Sequence, residues 1–276
     1  MIRVLKRIPR VVALITLVVV AFGMIFPMAW MIITSLRANP EQYGSFGELL
    51  SGATTIDNYA DAWQSDNFLR YFWNSLLVAG TVTAANVVFC LWTGYALARG
   101  TFRGRGMMVA TIIGVLVVPQ QVIMIPLYRL IAEFGWINTY WALIVPWLVT
   151  PFGVFLVKQY IEAMPSEIED AARIDGAGEW YIMFRVVMPL ARPVLTVLAI
   201  YVFLSQWNAF LFPFLFTNDE AHRTLPVGLA FYLGKQSIDW GHLMAGASIA
   251  ALPILGLFIV FQRRIIEGLT AGALKE

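Results

Sequence analysis

The sequence predicts an all-α membrane protein of six transmembrane helices, with a polar helix–turn–helix loop between the fourth and fifth. Three observations carry that expectation. Of the 276 residues, 59% are hydrophobic and 13% charged, against about 45–50% and about 25% in soluble domains; mean hydropathy is +0.72. Six stretches, 11–36, 71–98, 106–128, 134–157, 193–218 and 243–262, carry no Asp, Glu, Lys, Arg or His. A polar segment, 160–192, separates the fourth from the fifth and contains EIEDAARIDGAGEWYIMFRVVMPL.

Each apolar run has 20 residues or more. At 1.5 Å per residue, about 20 helical residues cross a ~30 Å hydrocarbon core. Isolated strands would leave backbone groups unpaired in lipid, and the ~10-residue alternating segments of a barrel are not seen. The first run follows Arg3, Lys6, Arg7 and Arg10, a charge pattern shared with secretory signals. Signal apolar regions span about 7–15 residues before a small-residue cleavage site. This run is 26 residues long and ends in FPMAWMIITSL, so it is expected to remain as the first helix. The second to fifth runs are expected as single spans, and the sixth is the shortest. The whole chain, 1–276, is expected to form one transmembrane domain. With both termini inside, segments 1–10, 99–105, 158–192 and 263–276 hold 14 of the 19 basic residues, which places the termini in the cytoplasm by the positive-inside rule.

Composition and motifs exclude several functions. The formal net charge is only +2, so no nucleic-acid partner is expected. Cys90 is alone and lies within a span, so no disulfide framework exists. His222 and His242 share a loop without thiolates and are expected as surface histidines, because a metal site needs three or four convergent ligands. The run from Gly228 to Gly234-Lys235-Gln236 has the wrong spacing for a phosphate-binding loop. Gly176-Ala177-Gly178 does not continue into a dinucleotide fingerprint, and H-E-x-x-H is absent. The chain is expected to bind no nucleotide, metal or other cofactor. No ionisable residue lies in the six runs, which argues against autonomous proton coupling.

The loop at 160–192 carries its own pattern. Ser166 followed by Glu169 forms a capping box. Ile168, Ala171, Ala172 and Asp175 share a helical face, and Gly176 stands where a helix ends in a left-handed residue. A second amphipathic stretch begins at Glu179, with Trp180, Met183, Phe184 and Val187 on its apolar face, and Pro189 interrupts it. Glu162, Glu167, Glu169, Asp170, Asp175 and Glu179 outnumber Lys158, Arg173, Arg185 and Arg192. A helix resting on anionic headgroups would be basic, so an acidic face with small residues points to a protein cleft.

Asp170-Ala171-Ala172, Gly176 and Val186-Val187-Met188-Pro189 resemble the Glu-Ala-Ala motif of ABC-transporter permease subunits, with Asp for Glu and Val and Met for Ile and Leu. NYADAW (58–63), FWNSLLVAG (72–80), GYALAR (94–99), VPQQVIMIPLY (118–128), INTYWALI (137–144) and FQRRIIEGLTAGALK (261–275) extend the likeness. They are similar to the carbohydrate-uptake, maltose-type group, above all its second, six-helix permease. The resemblance implies a multi-pass importer subunit in the plasma (inner) membrane of a bacterium or archaeon. Its implied partners are the lipid bilayer, a different permease, two ATPase subunits that carry ATP and Mg²⁺, and an extracytoplasmic solute-binding protein. It also implies that the helix at 167–175 docks in an ATPase cleft, with Ala171, Ala172 and Gly176 permitting close approach and Glu169, Asp170 and Asp175 supplying charge. The tail LTAGALKE (269–276) is then expected either to fray or to touch the ATPases.

A sugar pathway wants aromatic faces beside amides or hydroxyls. Gln206, Trp207 and Asn208 offer that set, as do Asn74, Asn86, Gln120 and Gln121 elsewhere. Amides that join helices and tryptophans that anchor at the interface are the competing reading. Two other classes stand as alternatives. A stand-alone secondary carrier or channel would transport without partners, and a membrane enzyme would need a nucleophile–base or metal set at one depth.

Overall fold

The computed structural model describes residues 8–64, 67–232 and 239–271. Arg3, Lys6, Arg7, the run Gly234-Lys235-Gln236 and tail residues 272–276 lie outside the described residues. The chain divides into two compact units, Met1–Leu69 with Leu229–Leu252, and Arg70–Gly228 with Pro253–Glu276. Described residues are helical or irregular, with one isolated bridge, Arg37 to Thr54.

The first unit holds α1 (Ile8–Ser35), α2 (Phe46–Ser51) and α3 (Asp57–Gln64). Leu17, Phe22 and Met24 of α1 are bare of protein, as befits a helix whose solvent is lipid. At its end, Asn58 Nδ2 donates to the carbonyls of Ser35 (2.8 Å) and Arg37 (2.7 Å), so α3 closes the turn that follows α1.

The chain continues through α4 (Phe68–Arg99), α5 (Arg105–Val117), α6 (Met124–Glu133), α7 (Tyr140–Ile144), α8 (Pro151–Glu162), α9 (Glu167–Ile174), α10 (Glu179–Leu190), α11 (Arg192–Trp207), α12 (Leu211–Phe216), α13 (Leu225–Tyr232) and α14 (Trp240–Ala271). Among the described residues, Val12–Ser35, Phe68–Arg99, Tyr140–Glu162 and Trp240–Gln262 are each long and apolar enough to cross a membrane. Two bent pairs raise the number to six if each is one span.

The first pair corrects the expectation of an unbroken third span, and the gap between α11 and α12 that of an unbroken fifth. The third run bends by 95° between Arg105–Val117 and Gln120–Glu133. Pro119 has no N–H and forces Val118 into an extended conformation (φ −77°, ψ 118°), so α5 stops at Val117. A 3₁₀ turn at Gln120–Ile123 then starts the second limb. Glu179–Leu190 and Arg192–Trp207 meet at 77°, and α12 is a separate helix rather than the end of the fifth span. The fourth span starts at Tyr140 rather than at 134, because Gly135 (φ 68°) and Asn138 (φ 60°) turn the chain first.

Small residues and amides hold the second unit together, as expected where apolar attraction between helices is weak. A Cβ on Gly94 would lie 2.9 Å from Val157 Cγ1. One on Gly153 would lie 2.7 Å from Cys90 Sγ and 2.9 Å from Leu198 Cδ1. α8 therefore touches α4 and α11 nearly backbone to side chain. Asn86 Nδ2 donates to the Trp147 carbonyl (2.7 Å), and its Oδ1 accepts from Thr150 N (3.1 Å) and Oγ1 (2.8 Å). It thereby satisfies backbone groups freed where the fourth span breaks near Pro146 and Pro151. Asn74 Nδ2 donates to the carbonyls of Ala221 (2.9 Å) and Arg223 (2.8 Å) and its Oδ1 accepts from Tyr140 Oη (2.7 Å). Both asparagines join helices rather than line a pathway.

Candidate functional site: the loop between the fourth and fifth spans, and a cavity

α9 ends as its sequence requires. Ala177 N–H donates to the Ala172 carbonyl (3.0 Å) and Gly176 N–H to the Arg173 carbonyl (3.0 Å), a Schellman motif with Gly176 at φ +85°. Nothing in the chain lies within 4 Å of a Cβ built on Gly176, so glycine is required there by the backbone angle and not by crowding. The N-terminus departs from expectation. Ser166 has helical angles (φ −74°, ψ −19°) and makes no side-chain cap hydrogen bond, so there is no capping box.

The reason is the direction of Glu169. It is 1% exposed, and its Oε1 accepts from Arg99 Nε at 2.8 Å while Tyr95 Oη lies 3.4 Å from its Oε2. Arg99 Nη2 also donates to the Met164 carbonyl (2.8 Å). Glu169 therefore ties α9 to the last turn of α4 and is unavailable as an outward charge. Ala172 also faces inward, against the core that includes Ile161, Ile182 and Val187. Asp170, Ala171, Asp175 and Gly176 stay exposed, together with Ile168 and Ile174, the latter 87% exposed.

Arg173 organises the outer charges. Its guanidinium donates to Glu179 Oε1 (2.9 Å) and Asp170 Oδ1 (2.8 Å). The bond to Glu179, with that to Asp170 behind it, holds Arg173 still more firmly protonated than a free guanidinium. Tyr95 Oη donates to Glu179 Oε2 (2.9 Å), so α4, α9 and α10 share one polar network.

α10 widens into a π-helix at Ile182–Val187, just before Pro189, whose ring disturbs the preceding turn. The wider turn changes the expected face. Ile182, Met183 and Val187 are buried, whereas Trp180 and Phe184 point away and stack on each other (ring centroids 6.1 Å apart, 14°). Trp92 meets Trp180 edge-on at 6.1 Å.

The residues expected along a pathway separate. Gln206 lines a cavity of about 690 Å³ together with Gln120, Gln121, Ser205, Trp147 and Thr224. Trp207 is 2% exposed, stacked on Phe203 (5.7 Å, 12°) and edge-on to Phe72 (5.5 Å, 80°). Asn208 caps α11, its Nδ2 donating to the Leu204 carbonyl (2.9 Å). His222 is half-buried beside Asp219 (3.0 Å) and Tyr140, and His242 is half-buried too. Arg99, Tyr95 and Thr224 escaped the sequence reading. Arg99 closes an apolar run, which marks it, but nothing local names Glu169 as its partner.

The described residues thus form a helical, multi-pass chain with broken spans and a polar helix between two of them. The chain is a member of the family described as "Binding-protein-dependent transport system inner membrane component", which matches residues 86–267. It is 34% identical to the trehalose/maltose transport system permease protein MalG of Thermococcus litoralis, over 99% of this chain and 98% of that one. It is 35% identical to the arabinooligosaccharides transport system permease protein AraQ of Halalkalibacterium halodurans, over 93% of both. A chain of the crystal structure of a bacterial ABC transporter involved in the import of the acidic polysaccharide alginate has the same fold, with TM-score 0.85 and 19% identity over 94% of this chain and 96% of that one. The protein is thus a maltose-type permease, the translocation subunit of an ABC importer in the inner membrane. It is a transport subunit and not an enzyme, and ATP hydrolysis lies with other subunits.

Proposed function

We propose that this chain forms half of the pathway for a sugar or sugar-like solute and couples it to two separate ATPase subunits through α9. The complex also contains a second, different permease and an extracytoplasmic solute-binding protein. The chain, working as one permease domain, binds neither nucleotide nor metal; ATP and Mg²⁺ are held by the ATPases. Six spans cross the membrane, both termini face the cytoplasm, and the loop at 160–192 lies on that side. The solute assignment rests on what the relatives transport and on Gln206 in the cavity.

The observation that carries the coupling role is the rigid mounting of α9. Its inner edge is pinned to α4 by Glu169 and Arg99, while Asp170, Ala171, Ile174, Asp175 and Gly176 form an unobstructed outer edge. Closure of the ATPase pair then moves α4 and α9 as one lever. ATP drives the change only because it binds the closed ATPase pair better than the open one.

Gly176→Val tests the lever. A β-branched residue strains the left-handed angle by about 1–2 kcal/mol and meets no obstacle within the chain, so the subunit is expected to reach the membrane and assemble poorly with the ATPases. Uptake, and stimulation of ATP hydrolysis by loaded binding protein, should both fall at least tenfold. Normal stimulation in that variant would remove α9 from the coupling path.

A further inference from the structure

An open groove of about 400 Å³ lies wholly within the second unit, apart from the cavity that Gln206 lines. One stripe of α11 runs along it: Arg192, Leu195, Ala199 and Phe203 recur at helical spacing. The stripe spans three turns, about 16 Å at 1.5 Å per residue. Val87 of α4 and Leu257 of α14 complete the lining.

Charge is confined to one end. Arg192 is the only charged residue in the lining among the described residues; it is exposed, and its guanidinium has no ion pair among them. It also opens α11, whose first turn holds no acidic residue. A helix N-terminus is the positive end of its dipole, so a cation there is uncompensated and an anion is favoured. The rest of the groove is nearly all hydrocarbon. Thr196 Oγ1 donates to the Arg192 carbonyl (2.8 Å), which leaves Thr83 Oγ1 as the hydroxyl without a partner among the described residues. One hydroxyl cannot replace the water around a sugar or a nucleotide, so a polar solute does not fit. A hydrocarbon chain fits the stripe, and a phosphate fits its arginine. On the proposed topology α11 begins at the cytoplasmic face. Arg192 then stands at the level of the inner headgroups, which its long side chain reaches, and Phe203 lies deeper.

We propose that this groove holds an acyl chain of an anionic phospholipid of the inner leaflet, with the headgroup phosphate on Arg192. The bound lipid joins α4, α11 and α14 from the membrane side. This goes beyond the importer reading and does not depend on which solute is carried.

The test uses the complete transporter, purified in detergent with equal amounts of phosphatidylglycerol and phosphatidylcholine. The lipids retained by the intact complex are counted by native mass spectrometry. Retention of phosphatidylglycerol over phosphatidylcholine is expected. Arg192→Gln should cut that preference about fivefold, the ratio that about 1 kcal/mol per basic contact with an anionic headgroup gives. Arg192→Lys, which keeps the charge, should retain most of it and so separates a lost contact from misfolding. Ala199→Trp, which fills the groove, should remove one bound lipid from a complex that still elutes intact on size-exclusion chromatography. Ala199→Cys should form no cross-link to the companion permease in membranes. An unchanged preference in Arg192→Gln, an unchanged lipid count in Ala199→Trp, or a cross-link from position 199 that gives the groove to a protein helix would each overturn the site and leave the importer reading intact.

Discussion

Glu169 lies between α9 and α4 with Arg99 Nε 2.8 Å from one oxygen, almost out of contact with solvent. Breaking such a pair from one side strands the other charge and costs about 3–5 kcal/mol, whereas replacing both partners with apolar groups is often neutral. Glu169→Ala should therefore lower the thermal midpoint of the purified chain clearly. The double substitution Arg99→Met with Glu169→Leu should restore most of it, as read by tryptophan fluorescence on heating. A midpoint as low in the double variant as in the single one would show that charge pairing is not what holds α9. Gly176 was legible in the sequence because its requirement is local: a helix end needs a left-handed residue. Glu169 was not, because its place three residues after Ser166 fits a cap equally well, and only the arrival of Arg99 from 70 residues away decides the matter. Trp207 misled for the same reason, since composition cannot tell a ring that lines a cavity from one stacked on Phe203 and Phe72.

At the scale of elements, α8 has little room for added bulk. Gly153 faces Cys90 on one side and Leu198 on another, and close contact through small residues is how helices associate when lipid and side chain are equally apolar. Gly153→Leu is expected to force α4 or α11 aside and reduce recovery of folded protein several-fold by size-exclusion chromatography. Gly114→Leu, with nothing within 4 Å of its Cβ position, should be tolerated, and equal losses in both would deny the contact its importance. Four spans were readable from charge-free runs, because lipid penalises charge over about 20 residues. The breaks were less so. Pro119 was visible, but whether a proline kinks a membrane helix or ends it depends on what satisfies the freed backbone, as Asn86 does for the fourth span. The π turn in α10 was invisible, since hydrophobic spacing was read with the α period.

For the molecule as a whole, sidedness is the expectation still to be measured. Cys90 is buried and the only cysteine, which makes the natural chain a quiet background for labelling. In cells, Ile174→Cys is expected to react with a membrane-impermeant maleimide only after the cytoplasm is opened, and Glu220→Cys from outside. Reaction of position 174 in intact cells would invert the topology and detach α9 from any cytoplasmic ATPase. The all-helical membrane fold and the family followed from composition and motif. The cavity did not, because it is assembled from residues more than 80 positions apart that only the bends bring together.

The outer edge of α9 carries a further implication for the subunit's life before assembly. Ile174 stands almost fully bare, and Trp180 and Tyr181 are nearly as open. On the proposed topology these side chains meet water until an ATPase covers them. A permease made in excess would then display a sticky, unfinished surface to the cytosol, and matched synthesis of the subunits would spare it from clumping and from proteases.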